Sequence, residues 1–257
     1  MRRREEPLAD RALQQLVHTG FLTGPNLAYG RWLLGSAPEG AIILTAGDMD
    51  TYPTVVVQAT ERLRPDVAVV NGTLLNLPWY AERMAAQSHL PLPDSSWHSA
   101  SGSDGPAIVA HWRYRAARGV LGRALTFEVR VDPSCECAEL GGVRLSGPAW
   151  RVVSDTGKAV DTAAVASALH RLDRESWAGL ALSPADRSPV RRAAAFQPAF
   201  VVVWIAETYA EWLSKAGDQN AARSWLDWAW SFAMRSELDP QKVRPTLAAI
   251  RASIPSR

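Results

Sequence analysis

AIILTAGDMDTYPTVVVQATERLRPDVAVVNGTLLNLPWY, residues 41–80, decides the fold. It opens on a continuous apolar run, Ala41 to Ala46, rich in β-branched residues. That is the pattern of a strand buried on both faces of a parallel sheet. Gly47 turns the chain, and Asp48 or Asp50 can cap a helix expected over Thr51 to Leu63, with Pro53 tolerated in its first turn. Arg64-Pro65-Asp66 leads to a second buried strand, Val67 to Val70, closed by Asn71-Gly72-Thr73. One helix separates the strands, so the spacing predicts a right-handed βαβ crossover. A further helix is expected over Leu74 to His89, with a break near Pro78.

Working outward, Leu8 to Val17 has helical spacing, and Asn26 reads as the N-cap of a helix over Leu27 to Leu34. Downstream, Leu90 to Pro106 has loop composition, and Ile108 to Leu121 reads as a basic helix. Leu125 to Val131 alternates like a strand. Val143 to Leu145 and Ala149 to Val153 read as a strand pair around Gly147. After Asp155 the chain turns helical: Asp161 to Leu172, Ala193 to Lys215, Asn220 to Ser236, and a last helix over Gln241 to Ala252. Facing apolar stripes on the two long helices predict a hairpin, and residues 216–230 read like one tetratricopeptide-type turn and helix. A single hairpin cannot build a solenoid, so it is expected to dock on the α/β part. The fold class is α/β: a small Rossmann-like parallel-strand core with added β-strands, followed by an α-helical hairpin tail. The expected division is a helical lead-in (1–40), an α/β core (41–155) and a helical tail (156–257).

Composition narrows the function. A formal net charge of +2 over 257 residues is close to balance and does not argue for a nucleic-acid partner, and none is expected. MRRREEPLAD has no apolar run after its basic residues, so it does not read as a secretory signal. The longest apolar run, Ala199 to Ala206, is far too short to span a bilayer. As written, the chain is expected to stay in the cytoplasm and not to cross a membrane. Cys135 and Cys137 have C-x-C spacing, poor for a disulfide and insufficient for zinc. Eleven tryptophans are many for this length; they are expected chiefly in cores, with sugar or base stacking as the functional alternative.

The candidate site lies at the C-terminal strand ends, where open α/β sheets bind ligands. Asp48 and Asp50 could hold Mg²⁺ or Mn²⁺ through carboxylate oxygens, or could accept amides of the helix they precede. Asn71 ends the second strand at the same edge, with an amide that both donates and accepts. Thr51 and Tyr52 extend the site, while Gln58, two turns down the helix, reads as structural. Trp79 and Tyr80 could stack a sugar ring or staple the loop to the body. Arg64 and Asp66 fall at the opposite end as a turn pair. No G-x-S-x-G, Walker loop, G-x-G-x-x-G or H-E-x-x-H occurs.

These residues carry a resemblance. P-x-G-A-I-I-L-T-A-G-D-x-D-T-Y-P, then R-P-D-V-x-V-V-N, then L-L-N-x-P-W-Y resembles the soluble C-terminal portion of bacterial membrane proteins. Those proteins are similar to the eukaryotic transmembrane, GT-C type protein O-mannosyltransferases. Gly47, Asp48, Asp50, Thr51, Pro53 and Gln58 match the first block, and Arg64, Pro65, Asp66, Asn71, Trp79 and Tyr80 the next two. GPAWRVV (147–153) approximates a later strand, and the helical end fits a tetratricopeptide-like tail. Ala46 and Met49 stand where that family usually has asparagines, and Val55 to Val57 replace its Leu-Trp-Tyr.

The resemblance implies an accessory or binding domain that recognises a glycan, peptide or partner protein. It also implies a membrane-embedded glycosyltransferase, or another protein met through the helical tail, as partner, and an extracytoplasmic setting. Two alternatives stay open: a metal-dependent enzyme acting on a phosphorylated or nucleotide-linked sugar through Asp48 and Asp50, and a scaffold that binds through its tail.

Overall fold

The structure is a computed structural model. It describes residues 6–22, 24–94, 98–99, 102–131, 141–155, 158–174 and 189–236, together with 238, 243, 247, 248 and 252. In chain order these form α1 (Glu6–His18), α2 (Gly24–Ser36), β1 (Ile42–Thr45), α3 (Asp48–Glu61) and β2 (Ala68–Asn71). A 3-10 turn (Thr73–Asn76) and α4 (Pro78–Ser88) follow, then the two-residue strands β3 (His98–Ser99) and β4 (Gly102–Ser103), and α5 (Gly105–Ala117). The chain continues through β5 (Leu125–Glu128), β6 (Gly142–Ser146), β7 (Ala149–Val153), β8 (Lys158–Val160), α6 (Thr162–Arg174), α7 (Pro189–Lys215) and α8 (Gln219–Arg235).

The main sheet has six strands in the order β2-β1-β5-β7-β6-β8. β1 runs parallel to β2 on one side and to β5 on the other. β5 then meets β7 antiparallel, β7 and β6 form a hairpin, and β8 lies parallel to β6. All four residues of β1 are buried, as its apolar run requires. The chain leaves β1 in one direction to make β2, then returns across β1 to make β5. Right-handed crossovers in opposite directions put α3 on one face, and α4 and α5 on the other.

Local chemistry accounts for the element ends. Gln58 Nε2 donates to the carbonyls of Arg64 (2.7 Å) and Val67 (2.8 Å), pinning the entry to β2. Arg64 pairs with Asp66 (2.8 Å) and also donates to the carbonyls of Leu34, Ala37 and Pro38. From the same end of the sheet, Arg123 donates to the carbonyls of Gly40, Ala41, Asp66 and Ser88. The two arginines lock the N-terminal ends of the parallel strands and leave the other end for a ligand.

Some boundaries differ from expectation. α2 begins at Gly24, so Asn26 is not a cap but a fully buried residue inside the helix. α5 begins at Gly105, because Asp104 Oδ1 accepts the Ala107 amide at 2.9 Å and Pro106 suits the first turn. Pro78 starts α4 after the 3-10 turn. The stretch expected as loop, Leu90 to Pro106, contains the β3–β4 ladder. β8 had no counterpart in the sequence reading. Cys135, Cys137 and most of the expected last helix lie outside the described residues.

α7 and α8 form the expected helical hairpin and pack on the rest through α2 and α6. Trp32 on α2 donates its indole N–H to the Ala168 carbonyl on α6 at 2.9 Å. One hydrophobic cluster runs from Ala28 through the sheet to Leu247. Trp32, Trp112 and Trp150 are buried in it, whereas Trp97 and Trp177 lie outside the described residues.

Candidate functional site

The strand order places a topological switch point between β1 and β5, and the C-terminal ends of these strands form the crevice that open α/β sheets use. The sequence reading looked for the site at β1 and β2. β1 is shared by both pairs, so the acidic turn lies in the crevice, but its second wall is β5.

Asp50 is the third residue of α3 and only 1% exposed. Its carboxylate accepts the backbone amides of Ala46 (2.5 Å) and Gly47 (2.9 Å), half of a capping box with glycine at the N-cap. Arg130 Nη2 stands 3.4 Å from the same carboxylate. Asp48, at the first position of α3, is exposed. Two helical positions apart, the two carboxylates diverge by about 200° around the axis. A divalent cation wants several convergent oxygens and would here abut a guanidinium, so this donor set does not suit Mg²⁺ or Mn²⁺. Among the described residues no three His, Cys, Asp or Glu side chains gather as metal ligands.

The threonines and Asn71 serve the backbone. Thr51 Oγ1 reaches the Gly47 carbonyl, Thr45 Oγ1 reaches the Val70 carbonyl at 3.1 Å, and the two hydroxyls stand 2.6 Å apart. With two protons for three contacts, one hydroxyl must release its carbonyl to bond the other. Asn71 Oδ1 accepts the amides of Thr73 (3.0 Å) and Leu74 (3.3 Å), starting the 3-10 turn. Tyr80 accepts the Asn71 backbone N–H at 2.9 Å on its hydroxyl oxygen. Burial raises the Tyr80 pKa, so the phenol stays protonated.

Trp79 is left presented: it is 58% exposed, edge-on to Tyr80 with ring centroids 5.7 Å apart and an interplanar angle of 86°. Tyr52 is half-buried. The edge therefore brings Asp50, Thr51 and Asn71 together as a fixed polar frame, with Trp79 and Tyr80 as an aromatic shelf beyond the end of β2.

Three residues of the crevice were missed. Glu128, the last residue of β5, is 0% exposed. It accepts the Tyr29 hydroxyl (2.5 Å), the Arg130 amide (3.0 Å) and Arg130 Nε (3.1 Å). Burial is the largest influence on Glu128 and raises its pKa, against the opposing pull of Arg130. Tyr29 is raised for the same first reason, burial, with the Glu128 charge adding to it. Arg130, its side chain 29% exposed, joins both carboxylates and reaches the surface. The signal was present: an acid inside LTFEV, whose other residues are apolar but for Thr126, two residues before an arginine, demands a buried partner.

Residues 27–103 match the family described as TMEM260-associated domain 2. The matched stretch runs from α2 to β4 and includes the acidic turn and the Trp79–Tyr80 shelf, but ends before Glu128 and Arg130. A curated relative, the Protein O-mannosyl-transferase TMEM260 of Mus musculus, is 36% identical over 77 residues. That match covers 29% of this chain and 11% of the relative. No solved structure matches. Among the described residues no helix is long and apolar enough to cross a membrane.

Proposed function

We propose that this chain is a binding module of a protein O-glycosylation system, without chemistry of its own, that seats a hexose ring of a mannosylated chain against Trp79. The observation that carries this reading is the contrast at the strand ends. Asp50, Thr51 and Asn71 are spent on the protein's own backbone, whereas a large indole stands exposed beyond the end of β2. An aromatic face with a polar rim recognises the C–H face of a sugar. The similarity to a protein O-mannosyl-transferase supports the sugar class, and the module would work beside a membrane-embedded glycosyltransferase. The division into lead-in, α/β core and helical tail, and the tetratricopeptide likeness of the tail, belong to the same proposal.

The test is a titration of the purified chain with an O-mannosylated threonine peptide and its unglycosylated twin, read by tryptophan fluorescence. Saturable binding of the mannosylated peptide alone, lost in Trp79→Ala, is the expected result. Equal responses to both peptides, or none to either, would overturn the reading.

A further inference from the structure

β8 closes the sheet on the side away from β2. Its parallel register sets Val143 against Lys158, Arg144 against Ala159 and Leu145 against Val160, and the Asp161 amide donates to the Leu145 carbonyl at 2.8 Å. In a parallel ladder the bonded residues of one strand alternate. Ala159 and Asp161 therefore face β6, and Val160 turns both its amide and its carbonyl outward. Among the described residues no strand lies on that side.

A groove of about 520 Å³ runs between this edge and the C-terminal half of α7. Trp150, Leu145 and Val160 form one row across β7, β6 and β8, so Trp150 and Val160 line the same face of the sheet. Trp212 lies across from them, with Thr208 beside it. The rim carries an ion pair, Lys215 Nζ to Glu211 Oε1 at 2.7 Å.

We propose that this groove binds an extended peptide segment that adds to the edge of β8. Outward amide and carbonyl groups alternating along a strand are complementary to another peptide backbone. The groove then takes one large apolar side chain of that peptide between Trp150 and Trp212. The Glu211–Lys215 pair offers a partner to a charged side chain on the next same-face position. β8 has three residues and begins with a lysine, features that discourage pairing with arbitrary strands. Specific pairing therefore depends on the groove as well as on the edge. This site is separate from the Trp79 shelf and does not depend on it.

The experiment selects binders from a displayed library of short peptides, then titrates the resynthesised sequences into the full chain. Two variants test the mode. Val160→Pro deletes the outward donor while leaving the bonds to β6, and Ala216→Trp fills the groove from an exposed position. The expected result is affinity reduced at least about tenfold in both, unchanged in Trp79→Ala, with the Val160 amide slowed in hydrogen exchange only when peptide is bound. A melting curve confirms that each variant is folded, and Ala216→Trp carries the test if Val160→Pro is not. Failure to enrich any sequence, affinity unchanged in the folded variants, or a Val160 amide already protected in the free chain would overturn the proposal.

Discussion

Gly30 on α2 lies against Pro53 on α3 so closely that a Cβ built on the glycine would stand 2.6 Å from the Pro53 carbonyl oxygen. The neighbouring atoms are backbone, so no rotamer change relieves the clash. This approach holds α2 over the second turn of α3 and sets Tyr29 where it meets Glu128. Gly30→Ala is expected to destabilise the fold by about 1–3 kcal/mol, measured by urea unfolding, with Gly35→Ala as a control because nothing lies within 4 Å of its added carbon.

Asp48 and Asp50 should separate cleanly. Asp50→Ala leaves the Ala46 and Gly47 amides without their acceptor and takes from Arg130 one of its two carboxylates, a loss of about 1–3 kcal/mol. Asp48→Ala, at an exposed position, should change stability by no more than about 0.5 kcal/mol. Calorimetric titration with Mg²⁺ and Mn²⁺ should give no saturable heat in the parent chain; a saturable heat abolished by both substitutions would restore the metal reading.

The Tyr29–Glu128–Arg130 cluster is expected to behave as a unit. Tyr29→Phe removes a donor to a fully buried carboxylate and should cost about 1–3 kcal/mol. Glu128→Gln strips the charge that Arg130 faces. Together with Tyr29→Phe it should cost less than the sum of the two single changes. Additive losses in a double-mutant cycle would show that the two side chains act independently.

Glu207 on α7 makes stability depend on pH. The residue is 5% exposed, and burial pushes its carboxyl from an ordinary 4.5 up to about 7. Between these values the folded chain holds more protons than the unfolded one, so this group makes stability fall as pH rises from about 4.5 to about 7. Glu207→Gln should remove that slope and melt higher than the parent above neutral pH. A parallel pH profile in the variant would refute the assignment.

Much of this fold is legible locally. The apolar run of β1, the turn before α3 and the facing stripes of α7 and α8 all depend on residues close in sequence. The second wall of the crevice does not. β5 reaches β1 in a register that joins Ile42 to Leu125, and no local pattern states that pairing. Tyr29, Glu128 and Arg130 come together only once α2, α3 and β5 are packed. The D-x-D turn left two readings open. Spacing puts two carboxylates near each other along the chain, but helix geometry turns them apart, and the buried one meets its own backbone. β8 was hidden because three residues are too few for a period to emerge.

The bond from Trp32 to the Ala168 carbonyl spans 136 residues, and Arg171 adds a second tie from α6 to Ser36 at 2.8 Å. α2 is buried on nearly every side, and α6 and α7 supply part of its cover. On the ribosome, which delivers the chain from its N-terminus, Trp32 and Leu33 emerge long before the helices that shield them are made. The nascent chain must therefore carry this apolar helix uncovered until α6 and α7 have also emerged.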